Sequence, residues 1–448
     1  MNKNMLYSEA LKKTKMVTVK KDLYSNEDVK ELEKVLYSKE CVAECINFVV
    51  SDASKKDTIL NVQERFSCSL ATILARDKEV VAVRLKVLPD RCEIYLAKNF
   101  AWSEHDSNYI AKIKNYLKDI SKSAPRKLRN TENAFTRAVS SYCFAKLETR
   151  LDKLKSDIKN DNRHVKSFKD FFSTNVDDAD KNNMYIISQV CNEYYKLVKD
   201  DNNIPPKFLR HIKKVGSYTG SMISIIECAC NIQYKLLFSN VKVYTKGSVI
   251  DNQHIYSWKD IIKRFIDEDD EDTYKRFMDK CSKKLNIMER LRKMYTNKIT
   301  QQQQQLDDDD IKQCIYLHAE MHILAFIIDN NIKNSREFIA MSKRCCYLCE
   351  LYIDFARKHG YDIIVFGKHK KIYSGWKLPI VKDNNFKIRS LRYILENLDQ
   401  IIENKIKHYT SSLPADFDSG DNSPNLNNDD KYLDEYFKQN TIKEYTLL

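Results

Sequence analysis

The chain has 448 residues, of which 43% are hydrophobic and 31% are charged. This length exceeds that of one usual domain, and the composition excludes a wholly disordered protein. Lysine and arginine number 76 against 63 acidic residues, which gives a formal net charge of +13 at pH 7. Such an excess is compatible with a polyanionic partner, but it is spread along the chain and identifies none.

The meaning of the 13 cysteines depends on the cellular compartment. Polar residues interrupt residues 1–21 every few positions, and no apolar stretch of signal-peptide length occurs there. No apolar run elsewhere is long enough to cross a bilayer. We therefore expect a reduced, cytoplasmic protein with no membrane partner, in which grouped cysteines indicate a metal site or catalysis. Delivery of the protein to another cell stays open.

Apolar periodicity predicts mainly helices in the first half of the chain. Residues 26–37 have helical spacing, and most of 105–235 is predicted to be helical. Alternation at 81–87 and again at 92–96, on either side of a Pro-Asp turn, predicts an antiparallel hairpin. Residues 66–74 are expected to add a third strand.

Positive charge concentrates in the middle of this region, at Lys112, Lys114, Lys118, Lys122, Arg126, Lys127 and Arg129. One hypothesis is a helix face that binds phosphates. We favour a solvated helix surface, because few aromatic residues are interleaved that could stack on bases.

Four residues of the second half have a recognisable chemistry. A zinc ion that activates water needs three protein ligands and an open fourth position, and thiolates with an imidazole suit it. His318, Cys346 and Cys349 supply such a set. Glu320, two residues after the histidine, would lie close to the metal without binding it, which is where a proton shuttle is needed.

The flanking sequence predicts that these residues lie at the starts of two helices. The apolar residues 323–328 predict a buried helix with His318 and Glu320 in its first turn, and helical periodicity resumes over 346–358. A short apolar run at 338–341 predicts a strand between the two helices. Helix N-termini favour thiolate over thiol at the cysteine positions.

These residues resemble the zinc-dependent cytidine deaminase-like superfamily, whose signature is His-x-Glu followed by Pro-Cys-x-x-Cys. The resemblance covers about residues 310–380. A bacterial and fungal branch of predicted nucleic acid or nucleotide deaminases looks most similar, on the basis of His318-Ala319-Glu320, Ser342-Lys343, Cys346-Tyr347-Leu348-Cys349, 367–373 and 376–379.

The resemblance implies a fold, a cofactor and a reaction. The fold is a three-layer α/β/α domain with a mixed sheet, and Zn²⁺ is held by His318, Cys346 and Cys349. Zinc lowers the pKa of a bound water, Glu320 takes the proton, and hydroxide attacks C4 of cytosine or C6 of adenine, with release of ammonia. The substrate is expected to be a nucleic acid or a nucleotide, with cytosine preferred to adenine.

Substrate contacts are expected at Ser342, Lys343, His369 and Trp376. Each has a structural alternative: a helix cap for Ser342, solvent exposure for Lys343 and His369, and a core position for Trp376. Two ligand alternatives also stay open from spacing. Cys345 stands where the superfamily has proline and could pair with Cys349, although the resemblance selects Cys346. His322, one helical turn after His318, could be a fourth ligand and close the site.

We therefore predict an α/β protein, α+β overall, in three parts. Residues 1–214 form a mainly helical region with the small antiparallel sheet, and 215–408 form the deaminase-like domain with a helical and polyglutamine insertion at 248–310. A hairpin at 234–244 is expected to open the sheet of that domain, and 409–448 form an acidic disordered linker and tail. The expected function is a zinc-dependent hydrolytic deaminase. The alternative is a catalytically inactive, zinc-stabilised module that binds nucleic acid or protein.

Overall fold

The computed structural model describes residues 26–50, 59–77, 79–126, 128–159, 162–176, 183–295 and 311–411. The polyglutamine part of the insertion predicted at 248–310 and nearly all of the predicted acidic linker and tail lie outside these residues. None of the described helices is long and apolar enough to span a membrane.

Helices make up most of the described chain. The α-helices are α1 Asn26–Ile46, α2 Val62–Leu74, α3 Glu104–Ser123, α4 Arg129–Tyr142, α5 Phe144–Ile158, α6 Arg163–Asn175, α7 Met184–Val198, α8 Pro206–Cys230, α9 Leu236–Ser239, α10 Trp258–Lys263, α11 Glu271–Ser282, α12 Leu285–Met294, α13 Ala319–Asp329, α14 Tyr347–Lys358 and α15 Asn384–Thr410. The strands are β1 Val81–Val87, β2 Cys92–Lys98, β3 Val241–Lys246, β4 Ile250–Ile255, β5 Ile311–Tyr316, β6 Glu337–Met341 and β7 Ile363–Val365.

Five strands form a mixed sheet in the order β3-β2-β1-β6-β7. Strand β1 pairs antiparallel with both β2 and β6, whereas β2–β3 and β6–β7 are parallel pairs. Val83 therefore lies opposite Leu96 on one side and Ala340 on the other. The predicted hairpin is confirmed, and it lies in the middle of this sheet. Strands β4 and β5 form a separate antiparallel pair.

The side chains of the sheet alternate between two apolar cores. Val81 and Val83 pack into a core with α2 to α9, whereas Ala82 between them packs against the opposite core. Strand β6 follows the same rule, because Ala340 faces the first core and Ile339 the second. Alternation of this kind is the period-2 pattern of a strand buried on both faces. The predicted α/β fold with a mixed sheet between helical layers is confirmed.

The strand predicted at 66–74 is wrong, because these residues belong to α2. Asn61 caps this helix by accepting from the backbone N–H of Glu64, and the Glu64 carboxylate accepts from the Asn61 N–H. Such a reciprocal capping box starts a helix. Phe66 and Leu70 then follow with helical spacing and are buried in the first core.

The hairpin predicted at 234–244 is also wrong. Residues 236–239 are helical, and Val241–Lys246 forms β3, which joins β2 in parallel at an edge of the sheet. The antiparallel hairpin of the mixed sheet is formed by β1 and β2, and not by residues 234–244. The insertion predicted as helical contains α10 to α12 but begins with β4. The division of the chain at residue 214 stays a prediction, although the sheet draws strands from both sides of it.

The basic residues of the middle region point mostly to solvent. Lys112, Lys114, Lys122, Arg126 and Arg129 are exposed, Lys118 is half-buried, and Lys127 lies outside the described residues. Such exposure fits both a solvated helix surface and a face that binds phosphates, so the preference for the first stays a prediction.

Candidate metal centre

The site begins where two helices start side by side. His318 is the N-cap residue of α13, and Cys346 is the N-cap residue of α14. Both have extended backbone, so each side chain stands at the mouth of its helix rather than along its flank. Strand β5 ends two residues before His318, and β6 delivers the chain toward the cysteines. The sequence predicts both His318 and Glu320 in the first turn of α13. Glu320 lies there, whereas His318 lies just before that turn.

The imidazole and two thiols converge. His318 Nδ1 lies 3.5 Å from Cys346 Sγ and 3.2 Å from Cys349 Sγ. The three ligand atoms all lie within 4.8 Å of one another. Tetrahedral zinc with typical Zn–S and Zn–N bonds needs nitrogen–sulfur separations of about 3.5 Å. The donor set and its spacing therefore fit a zinc ion.

The short distances shift the pKa values within this cluster. Burial opposes the Cys346 thiolate, but a hydrogen bond from Cys349 and the charge of His318 outweigh it, so the Cys346 pKa falls well below its usual value. Burial also opposes the charged imidazole, yet the Cys346 thiolate raises the His318 pKa. Burial raises the pKa of Cys349 well above its usual value. The cluster thus favours the thiolate of Cys346, the form that binds metal.

Glu320 lies against this cluster and is buried. A carboxylate oxygen of Glu320 lies within 4.8 Å of both the Cys345 and the Cys349 sulfur atoms. Burial raises the Glu320 pKa, although the charge of His318 partly opposes this. A buried carboxyl of raised pKa can exchange protons nearer neutral pH than an exposed one.

Glu320, Cys345 and Cys349 form a second group of converging ligand atoms, so the alternative ligand pair Cys345 and Cys349 stays geometrically possible. The Cys349 hydrogen bond favours a Cys345 thiolate, but burial together with the negative charges of Glu320, Cys346 and Glu350 outweighs it and raises the Cys345 pKa to about 12. The Cys345 thiol contacts the backbone oxygen of Cys346 at 3.4 Å. The thiolate, which is the form that binds metal, therefore forms more readily at Cys346 than at Cys345.

His322 belongs to neither group of converging ligand atoms in the described chain. Burial lowers its pKa to about 4, with smaller contributions from Lys246 and His318. Its Nε2 has no hydrogen-bond partner among the described residues. His322 is thus a neutral imidazole that lies outside the three-ligand cluster.

Two of the predicted substrate residues follow strands of the mixed sheet: Ser342 comes directly after β6, and His369 lies in the loop after β7. Ser342 donates its backbone N–H to Val81 O at 2.9 Å and accepts from Val81 N at 3.0 Å, so it extends β6 rather than capping α14. His369 donates its backbone N–H to Cys345 O at 3.1 Å, and its Nδ1 accepts from Lys371 N at 3.1 Å. Burial lowers the His369 pKa. His369 therefore borders the cluster through Cys345, whereas these contacts join Ser342 to β1.

Lys343 and Trp376 differ in accessibility. Lys343 is half-buried in the loop between β6 and Cys345. Trp376 is 0% exposed, and its indole Nε1 donates to Cys349 Sγ at 3.1 Å. Trp376 therefore lies behind a ligand sulfur and offers no surface on which a base could stack in this conformation.

Sequence reasoning missed the acidic residues that hold the loops around the cluster. Glu350 is buried and accepts from Lys368 Nζ at 2.7 Å and from Lys370 Nζ at 2.6 Å. Glu40 of α1 accepts from Gly375 N at 2.8 Å, and Glu44 accepts from Ser374 N at 2.6 Å. The α1 contacts join residues more than 300 positions apart, so no local pattern could have indicated them.

Comparison with known protein families gives a similarity to a deaminase. Residues 317–380 match the model of a family described as OTT_1508_deam-like deaminase. The matched segment contains His318, Glu320, Cys346 and Cys349, and the similarity supports the deaminase-like superfamily. No curated protein and no solved structure matches the chain.

Proposed function

We propose that the protein is a zinc-dependent hydrolytic deaminase acting on an amino-substituted nucleobase in a nucleic acid or a nucleotide. The observation that carries this proposal is the convergence of His318, Cys346 and Cys349 with the buried carboxyl of Glu320 beside them. The similarity of residues 317–380 to a deaminase family supports it independently of the geometry.

Three side chains would hold the metal and leave one position open. His318 would bind through Nδ1, which faces both sulfur atoms, and Cys346 and Cys349 would bind as thiolates. Zinc in such a site supplies a water that loses a proton near neutral pH. Because His322 lies outside the cluster, its imidazole does not close the site as a fourth ligand.

Glu320 is the group that moves protons. Its carboxyl is buried at the first turn of α13, close to the Cys349 sulfur and away from bulk solvent. It would take the proton of the attacking water and give it to the ring nitrogen. It would then take the hydroxyl proton of the tetrahedral adduct and give it to the amino group. The C–O bond forms, the C–N bond breaks, and ammonia leaves with the transferred proton.

The rim of the cluster supports an anionic substrate. Lys343 and Arg344 lie in the loop between β6 and the cysteines, and Arg344 is exposed. His369 borders the same cluster through Cys345. Ser342, Lys343 and His369 are our proposed substrate contacts, with cytosine preferred to adenine as the base.

The inactive zinc-stabilised module is the weaker candidate. A structural site needs no carboxyl beside its ligands, and burial of the Glu320 carboxyl costs stability. A proton-transfer role gives this buried group a purpose, which favours the enzyme.

Incubation of the zinc-loaded protein with a substrate panel in ¹⁸O-water tests the proposal. The panel is cytidine, adenosine, single-stranded DNA and RNA. We expect ammonia release from at least one of them, with one water-derived oxygen in the product base by mass spectrometry. Absence of ammonia from all four, with one zinc bound per chain, would contradict the proposal and favour the inactive module.

A further inference from the structure

The indole of Trp376 makes a direct hydrogen bond to a proposed zinc ligand. Its Nε1–H points at Cys349 Sγ over 3.1 Å, and the ring has no exposed surface. An indole N–H can only donate, and a ligand thiolate carries negative charge that accepts such a donor. The bond both fixes the position of the sulfur and withdraws charge from it.

The loop that carries Trp376 is clamped on one side by β5. The backbone N–H of Tyr316 donates to Gly375 O at 2.8 Å, and Lys377 N donates to Tyr316 O at 3.0 Å. Gly375 has a φ of +77°, and a Cβ there would lie 2.8 Å from Cys314 O. Only glycine allows this close approach of the loop to β5. The clamp ends two residues before His318, so one strand end positions both the imidazole and the indole.

Helix α1 clamps the other side of the same loop. Glu40 accepts from the Gly375 N–H at 2.8 Å, and Glu44 accepts from the Ser374 N–H at 2.6 Å. Glu40 is fully buried, and its second carboxylate oxygen has no hydrogen-bond partner in the described part of the chain. A buried oxygen without a partner costs stability, and the bond from Gly375 N–H to the other oxygen is the contact that this cost is set against.

We infer that Trp376 is a positioning residue of the metal centre, and that Glu40 and Glu44 of α1 hold it against Cys349. The metal site is thereby linked to a helix far away in the sequence and outside the segment that is similar to a deaminase. The inference rests on the proposed function, because it assumes that Cys349 binds metal. Groups that hydrogen-bond to metal ligands typically change metal affinity by about 10–100-fold when they are removed.

The substitution Trp376→Phe tests this inference, and Trp258→Phe is its matched control. Trp258 is also buried, at 2% exposure in the same core, but its indole Nε1 has no hydrogen-bond partner among the described residues. Both substitutions remove an indole N–H and similar volume, and only one removes a hydrogen bond to sulfur.

Two properties of these variants are measured. The first is the thiolate-to-metal charge-transfer absorption of the Co²⁺-loaded protein, and the second is zinc affinity by chelator competition. For Trp376→Phe we expect the absorption to move to lower energy, since an unbonded sulfur gives up electrons more easily, and zinc affinity to fall about 10–100-fold. Trp258→Phe should leave both near wild type. Equal results for the two variants would overturn the inference while leaving the metal site intact.

Glu40→Ala and Glu40→Gln provide a second test, which decides the matter if Trp376→Phe does not fold. Glutamine keeps an acceptor for the Gly375 N–H, and alanine removes it. We expect Glu40→Ala to reproduce the spectral shift of a displaced indole and Glu40→Gln to resemble wild type. Identical spectra for both would overturn the role of α1. Wild-type protein without any thiolate absorption on Co²⁺ addition would overturn the metal centre itself, a distinguishable result.

Discussion

Arg84 of β1 and Glu337 of β6 form a buried ion pair, with Arg84 Nε 2.5 Å from Glu337 Oε2. Their side chains are only 1% and 9% exposed. The Arg84 guanidinium also lies 5.0 Å from the centroid of the Tyr95 ring on β2. Because β6 leads to the cysteines, this pair ties the first hairpin to the strand that positions two of the proposed zinc ligands.

Arg84→Ala should lower the free energy of unfolding by about 3–5 kcal/mol, because it leaves the Glu337 carboxylate buried without its partner. Urea denaturation measures the change. Lys283→Ala is the control, since Lys283 is 70% exposed in its pair with Asp279 and should cost at most about 1 kcal/mol. Equal costs for the two variants would contradict a structural role for the buried pair.

Cys346→Ser and Cys345→Ser should separate the two ligand arrangements. The thiolate of Cys346 faces His318, so Cys346→Ser is expected to abolish stoichiometric zinc binding. Cys345→Ser removes a neighbouring buried thiol and should retain about one zinc per chain. Metal analysis of purified protein measures both. The opposite pattern would assign the site to Cys345, Cys349 and Glu320.

Asp106 should make stability depend on acid. Burial alone would raise its pKa, but bonds from Lys98, Ser103 and Tyr142 outweigh it and hold the pKa well below its usual value. A carboxyl with a depressed folded-state pKa stabilises the protein above its unfolded pKa of about 3.9, and this contribution is lost as pH falls below that value.

Asp106→Asn should therefore be less stable than wild type at pH 7 and lose less stability on further acidification. Urea midpoints measured from pH 7 down to about 3 test this over the range in which unfolding of both proteins is two-state. A wild type and variant with parallel pH profiles would show that Asp106 makes no such contribution.

Salt should separate a polymeric substrate from a free nucleoside. If the substrate is DNA or RNA, deaminase activity at low substrate should fall steeply between about 50 and 200 mM salt, because bound cations are released from phosphates. Activity on a nucleoside should barely change. Lys343→Ala should lower the magnitude of the salt slope by about one if it contacts a phosphate, and Lys283→Ala should leave it unchanged. An equal slope in all three proteins would place Lys343 away from the phosphates.

Local periodicity predicted the elements around the site well. The helices α13 and α14, the strand β6 between them and the hairpin β1–β2 all follow from apolar spacing. The apolar content of residues 66–74 alone favours a strand, whereas the capping signal of Asn61 and Glu64 indicates the helix that the structure has. The spacing of metal-binding residue types also predicted that His318, Cys346 and Cys349 would converge, as they do in the structure.

Pairing between distant segments could not be predicted from local patterns in the sequence. Strand β1 pairs with β6 across about 250 residues of intervening chain, as the Arg84–Glu337 pair does. The contacts of Glu40 with Gly375 and of Trp376 with Cys349 depend on that assembled sheet and on α1, not on any local motif. A single sequence records which residues are apolar or charged, but not which distant backbone group each one meets.

Deamination by Glu320→Gln, compared with wild type at equal zinc content, tests whether the Glu320 carboxyl transfers protons during zinc-dependent deamination. Glutamine keeps the shape of Glu320 but cannot accept the proton of the attacking water. We expect about one zinc per chain in both proteins and a loss of ammonia release of at least about 100-fold in the variant. Ammonia release by zinc-loaded Glu320→Gln at the wild-type rate would contradict this role of Glu320.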